Sequence, residues 1–316
     1  MDFMKYQIYA KKGKPPEVIY KINKNKIQNN GGLCMVRDYH VIETLGKTKV
    51  VIENGEVTSV GESLVDYCPI FDKIDNAKHL TPEFIKWNIE KRIRDFGMCT
   101  PQRIVKMKDV LSFGISEILK TNVELGLIDC VVGVCDGAGT LLMTDPDIIQ
   151  GVGGRVSALV STTPYDEVIE KLEINNVINP ETAELNPIEG LKTAVERGYK
   201  NIAITILPGE IIEEIANYPI PDDVNVYIFV AHTTNATSEE IGMVFKYCDV
   251  VTACASDKVR DYAEKEEVYY SGFKVPIFAI TEKGKEFLDN RLEKIGKPLT
   301  NNDYPINKDK HPNPLV

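Results

Sequence analysis

The spacing of apolar residues changes twice along the chain. Between His40 and Val60, three short runs at 40–45, 49–53 and 56–60 are separated by Gly46-Lys47 and Asn54-Gly55. Asn-Gly supplies the positive backbone dihedrals of a tight primed turn, so these runs predict a small antiparallel meander. Thr81-Pro82 then opens a segment reaching Arg94, and Thr100-Pro101 opens another reaching about Val110. Threonine as N-cap with proline at the first helical position predicts a helix at each. From residue 111 the period is helical, with Leu111, Ile115, Ile118 and Leu119 on one face, until Gly126 stops it.

Residues 129–135 follow as an almost wholly apolar run of strand length, the pattern of a strand buried on both faces. The alternation continues with expected strands at 156–161, 200–206, 224–231, 249–254 and 275–280. Expected helices lie at 164–172, 187–197, 209–217, 237–246, 257–265 and 282–295. Strand, helix, strand with short links predicts an α/β domain: a mainly parallel open sheet of Rossmann-like type with helices on both faces, preceded by the meander. The expected organisation is a basic arm or linker at 1–38, meander plus helices at 39–110, the α/β domain at 111–295 and an irregular, proline-rich tail at 296–316.

Charge sharpens only part of this picture. The chain of 316 residues carries 37 Lys plus Arg against 47 Asp plus Glu, for a formal charge of −10, which argues against a general nucleic-acid binder. The first thirty residues run the other way, with seven lysines against Asp2 and Glu17, and read as a solvated tail. No window approaches the ~18 to 20 apolar residues of a membrane span, and the start has no signal-peptide h-region, so a cytoplasmic protein is expected. Nothing in the pattern argues against a homo-oligomer.

Seven cysteines, an odd number spread over a long chain without any Cys-x-x-Cys pair, exclude a complete disulfide framework, a zinc ribbon and a thioredoxin motif. In an open parallel sheet, ligands bind beyond the carboxyl ends of the strands. Cys135, Cys254 and His232 are expected there, with Cys254 at a helix N-terminus that favours its thiolate. Cys68 and Cys99 each stand in a turn beside proline, a setting that recurs in iron–sulfur sites. Cys68, Cys99, Cys135 and Cys254 together make the four thiolates a 4Fe-4S cluster takes. Cys130 and Cys248 read as small buried hydrophobes, and Cys34 falls in the arm.

A second site is suggested by glycine-rich and hydroxyl-rich links. Asp136, Gly137, Gly139 and Thr140 form one, and Gly153, Gly154 and Arg155 form another, with Arg155 suited to a phosphate or carboxylate. Thr162 and Thr163 end a strand and open a helix, a third anion pocket. Tight turns are the alternative reading of all three. No Walker loop, complete dinucleotide fingerprint, His-x-x-x-His pair or Gly-x-Ser-x-Gly occurs, so classical NAD binding, P-loop hydrolysis, zincin and α/β-hydrolase chemistry lack support. Asp72 and Asp75 are expected to be solvated.

Several longer motifs occur in one order: Tyr67-Cys68-Pro69, the run from Arg94 to Pro101, Leu111 to Glu117, Val134 to Thr140, Gly153 to Ser157, Ser161 to Pro164 and Val251 to Ser256. On these, residues 39–295 resemble the methanogenesis marker 8 family of archaea. The resemblance implies a cytoplasmic protein with a role tied to methanogenesis, and supplies neither a reaction nor a catalytic residue. Two expectations follow. One is an accessory protein that holds an iron–sulfur cluster or another thiolate-bound metal and serves the maturation or reductive activation of methyl-coenzyme M reductase. The other is a cysteine-dependent enzyme acting on an anionic small molecule, or a non-catalytic module docking on a methanogenesis complex. Residues 112–132 also look like the helix-to-strand unit of the beta subunits of deazaflavin-reducing hydrogenases and formate dehydrogenases, which implies flavin as another anionic cofactor.

Overall fold

The computed structural model describes residues 38–109, 111–300, 303–309 and 311–316, so the basic arm and Cys34 lie outside the described residues. Strands β1 (Tyr39–Thr44), β2 (Thr48–Glu53) and β3 (Glu56–Val60) form the expected meander. Asn54 and Gly55 both take positive φ, 51° and 76°, at the β2–β3 turn, as the Asn-Gly pair requires. Helix α1 (Pro69–Asp75) begins after Cys68. Helix α2 (Pro82–Phe96) starts as its sequence predicts, with Thr81 accepting from the Phe84 amide and Pro82 at the first turn, and ends on Gly97 at φ 65°.

The helix expected after Thr100-Pro101 does not form. Residues 103–109 are irregular because the Arg103 side chain is drawn into the core, fully buried against Asp136. Helix α3 (Ile115–Glu124) leads into β4 (Cys130–Cys135), which turns back antiparallel as β5 (Gly139–Met143). Then come α4 (Pro146–Gly153), β6 (Ala158–Ser161), α5 (Asp166–Leu172) and α6 (Pro187–Glu196). Next are β7 (Asn201–Ile206), α7 (Ile211–Ala216), β8 (Asn225–Val230), α8 (Ser238–Tyr247), β9 (Val250–Thr252) and α9 (Asp257–Lys265). The last elements are β10 (Tyr270–Ser271), β11 (Ile277–Ala279) and α10 (Glu282–Lys294).

The seven-stranded sheet has the order β10-β11-β9-β8-β7-β4-β5. Its centre, β4, β7, β8 and β9, is parallel, while β5 on one side and β11 and β10 on the other are antiparallel. The sheet is therefore mixed, parallel only in its middle. Because β7, β8 and β9 add successively in one direction, α6, α7 and α8 crossing between them lie on one face, as right-handed crossovers demand. Leu191, Ile212, Ile241 and Val259 pack there against Ile202, Ile204, Ile228 and Val230. The opposite face buries Ile118, Ile149, Val168 and Phe287 of α3, α4, α5 and α10 against Val131, Ala203 and Phe229. Alternate residues of each central strand serve the two layers, which is why these strands read as continuous apolar runs.

One strand changes sheet. Residues 156–161 were expected in the parallel sheet, but β6 pairs antiparallel with β1, giving a four-stranded sheet β3-β2-β1-β6. Periodicity tells that a segment is extended and not which edge it will satisfy. Leu159 of β6 joins Ile42, Val50, Ile52, Ile85 and Ile89 in a third core beneath α2.

His40 of β1 is fully buried in a hydrogen-bonded chain that fixes its neutral form. The Gly137 amide donates to Thr162 Oγ1 at 2.8 Å, and Thr162 Oγ1 lies 2.7 Å from His40 Nδ1. His40 Nε2 lies 2.9 Å from Tyr165 Oη, which donates to the Cys99 carbonyl at 3.1 Å. Every position is satisfied with the proton on Nε2. Burial pushes the His40 pKa down to about 4, against weaker opposing pulls from Asp136 and Asp38. Between pH 6.5 and 4 the unfolded chain therefore binds a proton that the native state refuses, and stability falls as pH falls through that window. The expected loss is about 3 kcal/mol, with no contribution from His40 above the window. Urea midpoints at pH 7 and pH 4.5 check this. A His40→Gln variant with the same pH slope as the parent would show that the slope arises elsewhere.

Candidate functional site

The carboxyl ends of β8 and β9 face a cleft. The end of β1, helices α1 and α2, and the 111–117 and 153–157 segments line it with them, leaving a cavity of about 420 Å3 that is partly open. Cys254 follows β9 and His232 follows β8, both with left-handed backbone at φ 39° and 58°. Such conformations are costly for residues with a side chain and collect at functional sites. Cys68 is the N-cap of α1.

Both cavity thiols face backbone amides. Burial pushes the Cys254 pKa up, and the Thr233 and His232 amides and Arg260 pull it back. Burial also raises the pKa of Cys68, against the amides of Ile70 and Phe71, and nearby Cys254 adds to the rise. At neutral pH both are thiols, set where a thiolate would find donors waiting. Arg260, fully buried, gives all its contacts to neutral acceptors: the carbonyls of Ala253, Ser256 and Cys254, and His311 Nδ1. It is the nearby cation available to a Cys254 thiolate.

Three buried polar atoms on residues lining this cavity have no hydrogen-bond partner: His232 Nε2, Thr44 Oγ1 and Asn88 Oδ1. Unsatisfied buried groups are rare in folded proteins, and these three belong to residues of the cavity wall although the atoms themselves are buried. His232 Nε2 lies 3.5 Å from Glu43 Oε2, an ion-pair distance too long for a well-formed hydrogen bond. The imidazole still holds the Glu43 carboxyl below its usual range.

Opposite these groups stand two arginines. Arg92 of α2 donates to the Arg155 carbonyl at 2.7 Å, and its guanidinium lies 5.7 Å from the Phe71 ring centroid. The Arg155 guanidinium lies 3.8 Å from the Phe96 ring centroid, with Nε donating to Met107 Sδ. Neither makes a salt bridge among the described residues. Burial and then the Arg155 charge push Arg92 down to about 10, and burial lowers Arg155, with Glu117 pulling the other way. The two guanidinium groups thus carry positive charge on the cavity wall with aromatic rings beside them.

The sequence-derived residues divide. Cys68, Cys254, His232, Gly153, Gly154 and Arg155 all line the cavity. Gly153 and Gly154 do so as the end of α4 and its C-cap rather than as an amide loop. Asp136, Gly137, Gly139 and Thr140 belong to the β4–β5 hairpin turn, where their groups are spent internally. Asp136 holds Arg103, the Gly137 amide binds Thr162, and Thr140 Oγ1 accepts from the Asn186 amide. Gly139, at φ 75°, passes so close to Ala183 that a Cβ would collide with its backbone. Thr162 belongs to the His40 chain, and Thr163 Oγ1 accepts from the Tyr39 amide.

The four cysteines fall two and two. Cys99 and Cys135 are buried around the Asp136–Arg103 pair, where burial raises Cys99 far above the thiol range and Cys135 to about 12. Among the described residues, no three His, Cys, Asp or Glu side chains are grouped to hold a metal ion. Cys130 and Cys248 are buried core residues. Asp75, expected to be solvated, is instead buried and holds Lys91 and Asn88.

The comparison with known sequences bears on what kind of protein carries this cavity. The family described as "Uncharacterized protein conserved in archaea (DUF2099)" matches residues 40–293. The chain belongs to this family. The chain is also similar to "Uncharacterized protein MJ0054" of Methanocaldococcus jannaschii, at 41% identity over 284 residues, 88% of this chain and 100% of the relative. Among the described residues of this DUF2099 chain, no helix is long and apolar enough to cross a membrane.

Sequence reasoning missed Arg92, Glu43 and Arg260, which lie inside ordinary helix and strand patterns. It also passed over the C-terminal tail, which lies beyond the stretch matched to DUF2099. Asn313 pairs with Tyr67, beside Cys68, and Val316 bonds Ala255 and Asp257, beside Cys254. Pro312, just before Asn313, is part of the cavity wall. The irregular tail thus ties together the two segments that carry the thiols.

Proposed function

We propose that this protein is a thiol-dependent enzyme acting on an anionic small molecule. Arg92 and Arg155 hold the anion and Cys254 is the reacting thiol. His232 Nε2, lacking a hydrogen bond of its own, takes up the thiol proton, and the Glu43 carboxylate stabilises the imidazolium. The observation that carries this reading is the meeting, in one cavity, of two thiols, a buried imidazole paired with Glu43 and two arginines without salt bridges among the described residues. A raised thiol pKa makes the base necessary, because the resting sulfur is protonated. We place the activity in methanogenesis, as an accessory step serving methyl-coenzyme M reductase or its maturation; the support is the ordered set of motifs shared with the methanogenesis marker 8 family. An iron–sulfur cluster on all four cysteines would require Cys99 and Cys135 to leave their core around Asp136.

Two alkylating agents of opposite character test the assignment. Negatively charged iodoacetate is expected to modify Cys254 faster than neutral iodoacetamide, and excess inorganic phosphate is expected to suppress the iodoacetate reaction. Arg260→Met should slow alkylation of Cys254 by roughly tenfold, as loss of a buried cation beside a thiolate raises its pKa further. Iodoacetamide reacting faster at every thiol, with no protection by phosphate, would reject the reading. Iron and sulfide found after anaerobic purification, and lost in Cys135→Ala, would favour the cluster instead.

A further inference from the structure

A second cavity of about 420 Å3 lies at the carboxyl ends of β4 and β7, bounded by Gly133, Val134, Thr205, Ile206, Leu207 and Pro208. It adjoins the first: Ile115, Ser116, Gly153, Val156, Ser157 and Ala231 line both. Its character is different. Beyond three hydroxyls, on Ser116, Ser157 and Thr205, its walls are aliphatic side chains, glycine and proline, with no charged residue and no aromatic ring.

We infer that the ligand of this site is an anion bearing an aliphatic chain, with its head group at Arg92 and Arg155 and its chain passing Ser157 into the second cavity. The inference rests on the anion-binding reading above and adds the ligand's class to it. Two features favour a chain over a planar ring system. The walls of the second cavity offer no ring face for stacking, which a flavin or a nucleobase would use. Of the rings in the first cavity, Phe71 and Phe96 already lie beside the two guanidinium groups, and Phe113 does not reach the second cavity. The charged end and the apolar space are thus separated in the way the two ends of an alkyl phosphate or an alkyl carboxylate are.

Calorimetric titration of the full chain with methyl, hexyl and dodecyl phosphate, each kept below its micelle concentration, tests the inference. Affinity is expected to rise from methyl to hexyl phosphate by up to about fourfold per methylene, the value of burying each CH2. Ser157→Phe, a substitution at the half-buried junction, should remove that gain while methyl phosphate binds as before. Ile211→Glu, on the partly exposed first residue of α7 at the far wall, should weaken dodecyl phosphate more than hexyl phosphate; thermal unfolding confirms that both variants fold. Equal affinity for all three phosphates overturns the chain site and leaves the anion site standing, provided Arg155→Met weakens methyl phosphate binding. A chain-length gain that persists in both folded variants also overturns it. No binding of any phosphate to the parent protein would remove the anion-binding reading and this inference together.

Discussion

Replacing Asp136 with alanine will destabilise the fold by about 3 to 5 kcal/mol, the cost of leaving a buried guanidinium without its partner. Arg103 and Asp136 are both wholly removed from solvent, with Arg103 Nε 2.9 Å from Asp136 Oδ1. Asp136 Oδ2 also accepts from the Cys99 amide at 2.6 Å, and Arg103 reaches the Ile104 and Gly151 carbonyls. The pair therefore clamps the β4–β5 turn, the 97–105 segment and α4 to one another. Asp136 and Cys135 raise the Arg103 pKa above its ordinary value although burial opposes them, so the cation is kept. Urea denaturation measures the loss. The double variant Arg103→Met/Asp136→Leu is expected to recover much of it, because apolar replacement of a whole buried pair is often neutral. A loss in Asp136→Ala below about 1 kcal/mol would show that the clamp is not structural and would return Asp136 to consideration as a ligand group.

The largest functional effect is expected at the arginine pair. Arg155→Met and Arg92→Met should each weaken methyl phosphate binding by roughly tenfold to a hundredfold, the worth of one hydrogen bond to a charged group. Titration at low and high salt provides the check. The weakening should be larger at low salt, where charge attraction is least screened. Both positions also pack, Arg155 on Phe96 and Arg92 against Phe71, so methionine is chosen to keep the apolar stem. Unchanged affinity in both folded variants would place the anion elsewhere.

Much of the architecture was readable along the chain. The Asn54-Gly55 turn, the Thr81-Pro82 start of α2 and the alternation of strands and helices from residue 156 onward each rest on local rules, and the structure follows them. Where those rules failed, a distant partner decided the outcome. Thr100-Pro101 has the chemistry of a helix start, yet Arg103 three residues later is required by Asp136, and no helix follows. Strand β5 was hidden because Leu141 and Leu142 follow a glycine-rich turn that reads as a loop, whereas Cys135 and Gly139 pair directly across it.

The candidate site was legible to the extent that it obeys the strand-end rule. His232 and Cys254 were found because they end strands β8 and β9, and Arg155 because it follows glycines. The same reasoning overvalued Gly137, Gly139 and Thr140, since an amide in a tight turn is as ready to bind its own chain as an anion. Two cysteines in proline-flanked turns and two at strand ends looked equally able to ligate. Burial and the Asp136–Arg103 pair separated them.

The sequence by itself determined most of the strands and helices, the α/β class and the residues at the ends of β8 and β9, because these depend on period and on caps within a few positions. Only the tertiary structure decided that β6 leaves that sheet for β1, that the tail links the segments bearing Cys68 and Cys254, and that Arg92, Arg155 and His232 share one cavity. Those are pairings between residues up to hundreds of positions apart, fixed by which buried group is left to be satisfied, and no local pattern encodes them.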